Sequence, residues 1–339
     1  MNTLRTPNAA LAAEIRALAT ERPFNPGADL AHGQITTANA SLFVQAHFSE
    51  PLTIYATGWN PGGNIADLCE FLAPTIPGTG ERYEHITYPN AEAFLSDVNA
   101  DDDLRAIGSD FKTVSDSSDK TSRSVPNRGL RIVLDWDRIK TMANWQQHYT
   151  DMLLRRIQLN AWRRKLALAV ASATDVPLVW DPAGAADPDY DLANQVQVSG
   201  DASGIRPTSA LWGLGASLLR LQSYGATNTA KAMAGRMLSE LEASRKAGLD
   251  PKLDETRYQA GTSKSRTMGS KVLLFTSAPT STEDPSNFKT AKANTSQGGL
   301  RAVYVRQLSV KLWEVVVEVY ETEFVATTLG VRTLSVTSA

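Results

Sequence analysis

The chain has 339 residues, of which 42% are hydrophobic and 21% charged, and its formal net charge is −2. A chain of this length can bury a hydrophobic core and hold two or more subdomains, and the small net charge gives no global case for nucleic-acid binding or an acidic partner. The single cysteine, Cys69, excludes an intramolecular disulfide, and no stretch has the apolar length of a signal peptide core or a membrane span.

Residues 1–50 are predicted to form an arm. They contain a short amphipathic helix, Asn8–Glu21, but too few apolar residues for a core of their own. In residues 51–76, a β-like segment, Leu52–Tyr55, is followed by the turn Asn60–Gly63 and an apolar patch. We therefore expect short strands at this junction.

Residues 77–130 form a polar segment whose first part is strongly acidic. Residues 81–110 contain eight acidic and two basic side chains, and three of the acids are the consecutive Asp101, Asp102 and Asp103. A tract rich in Ser, Thr, Asp and Lys follows. Such a composition cannot bury enough apolar surface to order itself. The segment is either a disordered surface loop or an extended hairpin that orders only on another subunit.

The longest helical pattern runs from Asp137 to Thr174 without a Gly or Pro. Its apolar residues fall into two sets that do not share one stripe, so we predict that the helix changes packing partners halfway along. We expect Asp137 or Thr141 to cap its start and Pro177 to end it, which gives a length on the order of 50 Å. β-type patterns on both sides favour one dominant helix laid across sheet over a helical bundle or coiled coil.

The middle of this helix is basic. The basic residues are Arg155, Arg156, Arg163, Arg164 and Lys165, and the one nearby acid is Asp151. Because the acidic segment and this basic stretch have opposite charges, we hypothesise that the first contacts the second on an adjacent subunit. The alternatives are a solvated basic face and an inner surface that faces DNA phosphates without sequence preference.

Beyond the helix, Pro177–Trp180 is predicted as a short buried strand. The four Asp residues in the stretch 181–191 suggest either a calcium loop or Asp-Pro turns that cap the next helix. The ligand spacing of a calcium loop is absent, which favours the turns. Two helices are then predicted, one through Leu221 and one over Asn228–Lys246, followed by the strand Lys271–Thr276 and a polar loop over residues 278–299.

The closing segment has the alternation of a strand. Trp313, Val315 and Val317 recur on one face, while Glu314 and Glu318 lie opposite. The alternation changes parity over residues 320–324, which predicts a bulge or bend. A final strand is predicted over residues 330–336.

The sequence contains no motif for catalysis or metal binding. Its four histidines are scattered, and there is no H-E-x-x-H, C-x-x-C, G-x-S-x-G or P-loop pattern. Gly78-Thr-Gly80 and Gly213-Leu-Gly215 lack the third glycine of a dinucleotide fingerprint, so we interpret both as turn or packing features. We predict no catalytic, cofactor-binding or metal-binding residue, and no cofactor.

Several passages together carry a family resemblance. They are P-N-R-G-L-R-I-V-L-D-W-D (126–137), V-P-L-V-W (176–180), D-P-D-Y-D-L (187–192), G-I-R-P-T-S-A-L-W-G (204–213) and the closing strands from Gly299. Their order and spacing resemble the major capsid proteins of tailed double-stranded DNA bacteriophages, which have the HK97-like fold also seen in encapsulin shells. The resemblance covers Leu52 to the C-terminus.

The resemblance implies an α+β fold with defined parts. These are an N-arm (1–50), junction strands (51–76), an extended E-loop (77–130), a P-domain (131–206 and 300–339) whose spine helix (137–174) crosses an antiparallel sheet, and an inserted α/β A-domain (207–299). It also implies a virion protein, assembled in the host cytoplasm as pentamers and hexamers of an icosahedral shell, with the A-domain loops meeting at the centre of each.

The implied partners are further copies of the chain, a portal, a decoration protein and non-specifically contacted packaged DNA, with no membrane. The arm is too short for a built-in scaffolding segment, so a separate scaffolding protein is expected. Lys112 and Lys120 lie where some members form Lys–Asn crosslinks, but no acidic catalyst or Asn acceptor is identified. The alternatives are an encapsulin-like compartment with a protein cargo, and an enzyme or nucleic-acid-binding module with an inserted lid.

Overall fold

The computed structural model describes residues 48–59, 65–76, 80–87, 104–105, 110, 119–181, 186–225, 230–277, 286–295 and 297–338. Some predictions concern other parts of the chain and lie outside the described residues. They are the arm up to residue 47 with its helix Asn8–Glu21, the turn Asn60–Gly63, Lys112, and the acids Asp101, Asp102 and Asp103 with most of their loop. No helix within the described ranges is long and apolar enough to cross a membrane.

The described elements begin with two helices, mix helices and strands through the middle of the chain and end in eight successive strands. The helices are α1 (Glu50–Gly58), α2 (Ile65–Leu72), α3 (Trp136–Ile139), α4 (Trp145–Ser172), α5 (Pro188–Ser203), α6 (Leu214–Gly225), α7 (Ala230–Met237) and α8 (Glu240–Lys246). The strands are β1 (Thr75–Ile76), β2 (Arg82–Thr87), β3 (Asp119–Ser124), β4 (Asn127–Asp135), β5 (Thr174–Val179), β6 (Ser209–Gly213), β7 (Asp250–Asp254), β8 (Arg257–Ala260), β9 (Ser263–Arg266), β10 (Lys271–Phe275), β11 (Phe288–Ala293), β12 (Arg301–Gln307), β13 (Leu312–Val325) and β14 (Arg332–Thr337).

These strands form two five-stranded sheets and two separate hairpins. In the first sheet, β1 pairs with β11, β11 with residues 320–325 of β13, and β12 with residues 313–319 of β13. β4 pairs with residues 312–320 of β13, on the edge opposite to β12. The second sheet has the order β5, β14, β10, β6, β7. Its strands β5 and β14 come from outside residues 207–299, so the predicted subdomain bounds do not coincide with the edges of this sheet. The hairpins are β2 with β3 and β8 with β9.

Helix α4, the predicted spine helix, has 28 residues and is therefore about 42 Å long. The predicted start is wrong, because α3 precedes α4 and is capped by Asp135, whose side chain accepts a hydrogen bond from the backbone N–H of Asp137 at 2.8 Å. The predicted end is also too late, since β5 begins at Thr174 and includes Pro177. A proline is tolerated there because β5 is an edge strand, whose outer N–H groups need no partner.

The predicted change of packing partners along α4 is confirmed. In its first half, Tyr149 and Leu153 belong to a core with β4, β12 and β13 of the first sheet. In its second half, Trp162, Leu166 and Ala169 belong to a core with α2, β6 and β10. Each fully buried apolar side chain of this kind contributes roughly 1.5–3 kcal/mol. One helix thereby joins the two sheets.

The second sheet lies between two layers of helices. Leu211 and Leu273 face α4, while Ala210, Trp212 and Leu274 face a separate core with α5 and α6. Strand β6 is buried on both faces for this reason. β6 and α6 also approach the turn that precedes β10. This explains Gly213 and Gly215, where an added Cβ would collide with the carbonyl oxygen of Gly269 in that turn. Their predicted packing role is thus confirmed.

Strand β13 changes apolar parity without a bulge. It pairs with β4 in an unbroken register from Leu312 to Tyr320, and with β11 from Tyr320 to Val325, so the predicted bulge is wrong. Val315 and Val317 face α4, whereas Phe324 faces a second small core on the opposite side of the sheet. The parity changes because the two faces of the sheet are covered at different points along the strand.

Two other local predictions are wrong, and a third is wrong in part. Leu52–Tyr55 lies in helix α1, not in a strand, because Pro51 starts that helix and its Thr53 and Ala56 are buried. The polar stretch 278–299 contains strand β11, of which only residue 292 is not fully buried. The predicted helix over Asn228–Lys246 is two helices, α7 and α8, with a capping box at the start of α8.

Candidate assembly surfaces

The exposed face of α4 carries the basic residues that the sequence singled out. Arg155 and Arg156 are exposed, and within the described part of the chain neither has an ion-pair partner. These two side chains are therefore free to bind an acidic group that approaches from outside.

The next two arginines already have partners in their own chain, contrary to the premise of the hypothesis. The guanidinium of Arg163 lies over the ring of Tyr258, 4.0 Å from its centroid. Arg164 donates to Glu321 at 2.6 Å and to Glu323 at 3.0 Å. The remaining basic residue of the stretch, Lys165, is 3% exposed. The basic stretch thus divides into an open half and a half engaged within the chain.

A groove lies between α4 and the β8–β9 hairpin. Its volume is about 610 Å³, and its wall includes the Arg163–Tyr258 pair and Lys271. Leu166 and Val170 contribute apolar surface. A groove with an apolar floor and cationic sides suits an extended segment that has both acidic and apolar side chains.

The β8–β9 hairpin is tied to α4 by a buried polar network. The hydroxyl of Thr256 accepts from Trp162 Nε1 at 3.0 Å, donates to Asp254 Oδ1 at 2.6 Å and lies 2.7 Å from the hydroxyl oxygen of Thr267. Asp254 is only 2% exposed, and this burial raises the pKa of its carboxyl group. The network fixes the wall of the groove relative to the helix.

Two cations, the buried Lys165 and the part-buried Arg301, cap the carboxyl ends of α1 and α2. Lys165 donates to the carbonyl oxygens of Cys69 and Ala73, each at 3.2 Å, and Arg301 donates to that of Ala56 at 2.6 Å. Neither helix has a basic residue in its own last turn. The unpaired carbonyls and the helix dipole are therefore satisfied by distant parts of the chain. Burial lowers the pKa of the Lys165 ammonium.

A cavity of about 210 Å³ lies beside these caps, between α2, α4 and β13. Lys165, Lys292, Glu70 and Glu321 all border it. Burial disfavours the charged form of Glu70, but hydrogen bonds from Thr75 and the nearby Lys292 hold the pKa of Glu70 below its usual value. Arg301 borders the cavity as well, so its wall carries three cationic and two acidic side chains. Across the described ranges, no group of three His, Cys, Asp or Glu side chains is placed to hold a metal ion.

Two buried charges were not anticipated from the sequence. Glu314, predicted only to lie on the face opposite Val315, is fully buried and pairs with Arg131 at 3.4 Å and with Arg306. Arg220 of α6 is also fully buried and makes a bidentate pair with Asp189 at 2.7 and 2.9 Å. The arginines at cross-strand positions and the acids at the start of α5 are visible in the sequence. Which arginine pairs with which acid can be told only once the pairing of the strands and helices is known.

The aspartates before α5 serve as a helix start, as the favoured interpretation predicted. Asp187 is the N-cap of α5 and accepts from the backbone N–H of Tyr190 at 3.4 Å. Asp189 is engaged by Arg220. On the outside of the same unit, α6 and α7 expose apolar side chains, among them Leu221 and Met237 at 46% and 86%. That face is a second candidate surface for association.

Comparison with known proteins gives structural matches only. No protein-family model matches the chain, and no curated protein matches it. A phage-related protein from Bordetella bronchiseptica RB50 matches with a TM-score of 0.61 and 16% identity, over 85% of this chain and 97% of that chain. The capsid of cyanophage P-SCSP1u matches with a TM-score of 0.48 and 10% identity, over 80% and 87% of the two chains. A structure from Mycobacterium phage Bobi matches with a TM-score of 0.49 and 12% identity, over 80% and 91%.

The likeness to the Bordetella protein shows a shared fold. The predicted mixture of helices and sheets is therefore confirmed.

Proposed function

We propose that the chain is a major capsid protein that self-assembles as pentamers and hexamers into an icosahedral shell around phage double-stranded DNA. The observation that carries this proposal is the fold shared with a phage-related protein, which extends over 97% of that protein. The product is a virion shell, assembled in the host cytoplasm with the help of a portal and a separate scaffolding protein. A decoration protein on the outside is compatible with this arrangement.

The distribution of buried charge also favours a structural role. Lys165 and Arg301 cap helices, Asp254 belongs to a hydroxyl network, and Arg220 joins two helices. Lys165 and Arg301 border one cavity, but each of these four groups is engaged by its own chain, whereas a catalytic group must be free to meet a substrate. Each instead strengthens a junction between elements, which is what a shell subunit under load requires.

The contact between subunits that we propose joins the acidic segment of one copy to the basic face of α4 in the next. The acids are Asp101, Asp102 and Asp103, and the bases are Arg155, Arg156, Arg163 and Arg164. Support comes from the exposure of the first two arginines and from the cationic groove beside the last two. A contact of this type is heterologous, so copies of it close around a five-fold or six-fold axis.

A reversal of charge tests this contact. Arg155→Glu with Arg156→Glu should prevent particle formation, because the like charges would meet at every copy of the interface. The reversal Arg156→Glu with Arg163→Glu should do the same but also removes the contact with Tyr258, so the first pair is cleaner. Mass photometry of the purified full chain should show megadalton particles for the wild type and only small oligomers for the variant.

The matched control reverses two exposed charges elsewhere, Arg245→Glu with Lys246→Glu on α8, and should still assemble. Restoring opposite charges by adding Asp101→Lys and Asp102→Lys to the Arg155 and Arg156 reversal should recover particles. Normal particles from the first variant would overturn the contact; if those particles also failed to retain DNA, the basic face would instead line the interior. A wild-type chain that stays monomeric, or shells that enclose a protein cargo, would contradict the capsid proposal itself.

A further inference from the structure

The base of the β2–β3 hairpin contains buried polar atoms without hydrogen-bond partners. Tyr83 and His85 lie on one face of β2, because residues two apart in a strand point to the same side. Their exposures are 7% and 9%. Among the described residues, the hydroxyl of Tyr83 and both ring nitrogens of His85, Nδ1 and Nε2, make no hydrogen bond. A neutral imidazole with two unsatisfied nitrogens is tolerated in a core, but an imidazolium with two unsatisfied donors is much less stable there.

These two rings are what join the hairpin to the first sheet. The His85 ring centroid lies 4.3 Å from that of Phe324 on β13, and the Tyr83 ring centroid lies 5.1 Å from it. Phe324 is fully buried, and Val125 at the end of the hairpin shares its core. The expectation that the whole segment orders only on another subunit is therefore wrong for its base, which packs on its own chain.

The charged groups around His85 oppose its protonation. Arg123 on β3 and Lys289 on β11 act on the imidazole from two sides. The carboxylate of Glu323 on β13 could offset them, but Arg164 already donates to it at 3.0 Å. Burial in the first place, and then Arg123 and Lys289, lower the pKa of His85.

We propose that His85 is a pH-sensitive contact, which holds the base of the β2–β3 hairpin on the first sheet while neutral and releases it when protonated. In the released hairpin the imidazole is hydrated and titrates near its ordinary pKa of about 6.5. The docked imidazole has a lower pKa, so the released form takes up the proton first. The contact is at full strength above about pH 6.5 and weakens as the pH falls toward the docked value, by about tenfold per pH unit.

Hydrogen exchange measured by mass spectrometry on the full chain tests this proposal, whether or not the chain assembles. After correction for the intrinsic rate, the backbone amides of β2 and β3 should lose protection by about tenfold per unit below pH 6.5. The amides of β10, in the second sheet, should not change over the same range. In His85→Phe, which keeps a ring against Phe324 but cannot be protonated, the hairpin should stay protected down to pH 5.

The control variant is His148→Phe, which removes an exposed histidine of α4 and should keep the wild-type response. If His85→Phe does not fold, as judged by far-ultraviolet circular dichroism, the same exchange measurement is made on His85→Leu, which has a smaller side chain. A wild-type hairpin whose protection does not depend on pH would overturn the proposal. So would a pH-dependent loss of protection that persists in the folded His85 variant.

Discussion

The two hairpins of the molecule are held at their bases in opposite ways. Under β8–β9, the hydroxyl of Thr256 is shared between Trp162 and Asp254, although the second carboxylate oxygen of Asp254 is buried without a hydrogen-bond partner among the described residues. Under β2–β3, the rings of Tyr83 and His85 pack on apolar surface, and none of their polar atoms has a hydrogen-bond partner among those residues. Both hairpins lie outside the five-stranded sheets, so each depends on its base for its position.

The difference shows how one chain can hold one hairpin firmly and hold another in a way that depends on the solution conditions. A polar network whose members share hydrogen bonds in a low-dielectric core is specific in geometry and costly to break. An apolar contact with orphaned polar atoms holds through packing alone, and a change in charge weakens it. We therefore expect the two bases to respond in opposite directions to the removal of a hydroxyl and to a change in pH.

The largest effect should come from Thr256→Val. The substitution keeps the shape of the side chain but leaves the Trp162 N–H and the Asp254 carboxylate without their shared partner in the core. We expect a loss of about 2–3 kcal/mol in the free energy of unfolding, measured by urea titration of the unassembled chain. The control Thr141→Val, in an exposed turn, should change this free energy by less than about 0.5 kcal/mol. Equal effects in the two variants would mean that the network contributes nothing specific.

A smaller effect should follow the titration of Asp254. Its pKa is raised by burial, so the folded state takes up a proton before the unfolded state does, and stability increases as the pH falls through the raised value. The gain is about 1.4 kcal/mol for each pH unit between the two pKa values. Urea titrations between pH 7 and pH 4 should show this gain relative to Asp254→Asn, which keeps the acceptor but cannot titrate. A difference of the opposite sign would contradict the assignment. The β2–β3 base should lose protection over part of the same range.

The smallest effect should come from Tyr83→Phe. The hydroxyl of Tyr83 is buried without a partner, so its removal ends an unfavourable burial and leaves the ring contact with Phe324 in place. We expect a stabilisation of up to about 1 kcal/mol, seen as a higher urea midpoint with an unchanged slope. A loss of stability would show that the hydroxyl is satisfied by water or by a second subunit. Together with Thr256→Val, this variant shows whether the removal of a hydroxyl changes the free energy of unfolding in opposite directions at the two bases.

Strong periodicity made the main elements predictable from the sequence. The helix α4, its change of partners, and the strands β10 and β14 were found, because apolar spacing reports burial directly. The errors arose where a neighbouring element covers residues that the local pattern assigns to solvent. β11 has a polar sequence but is buried, and β13 changes parity because the β2–β3 hairpin covers its far end. Neither neighbour is visible from local sequence.

The site residues were predictable only in part, for a related reason. A search for charge clusters found Arg155 and Arg156, which are exposed, but it also grouped Lys165 with them although that ammonium is a buried helix cap. Sequence patterns assign charged residues to the surface by default. Arg220 and Glu314 break that rule because each has a partner that lies far away in the chain and only pairing of elements brings close.

The remote capping of α1 and α2 has a consequence for how the subunit is made. These helices have 9 and 8 residues, too short to persist alone in water. The cap of α1 comes from Arg301, 245 positions after the carbonyl that it binds, and that of α2 comes from Lys165, 96 positions after Cys69. Such long-range closures form late in folding. On the ribosome, α1 must therefore wait until nearly the whole polypeptide has emerged, so the subunit matures in this region only after translation is almost complete.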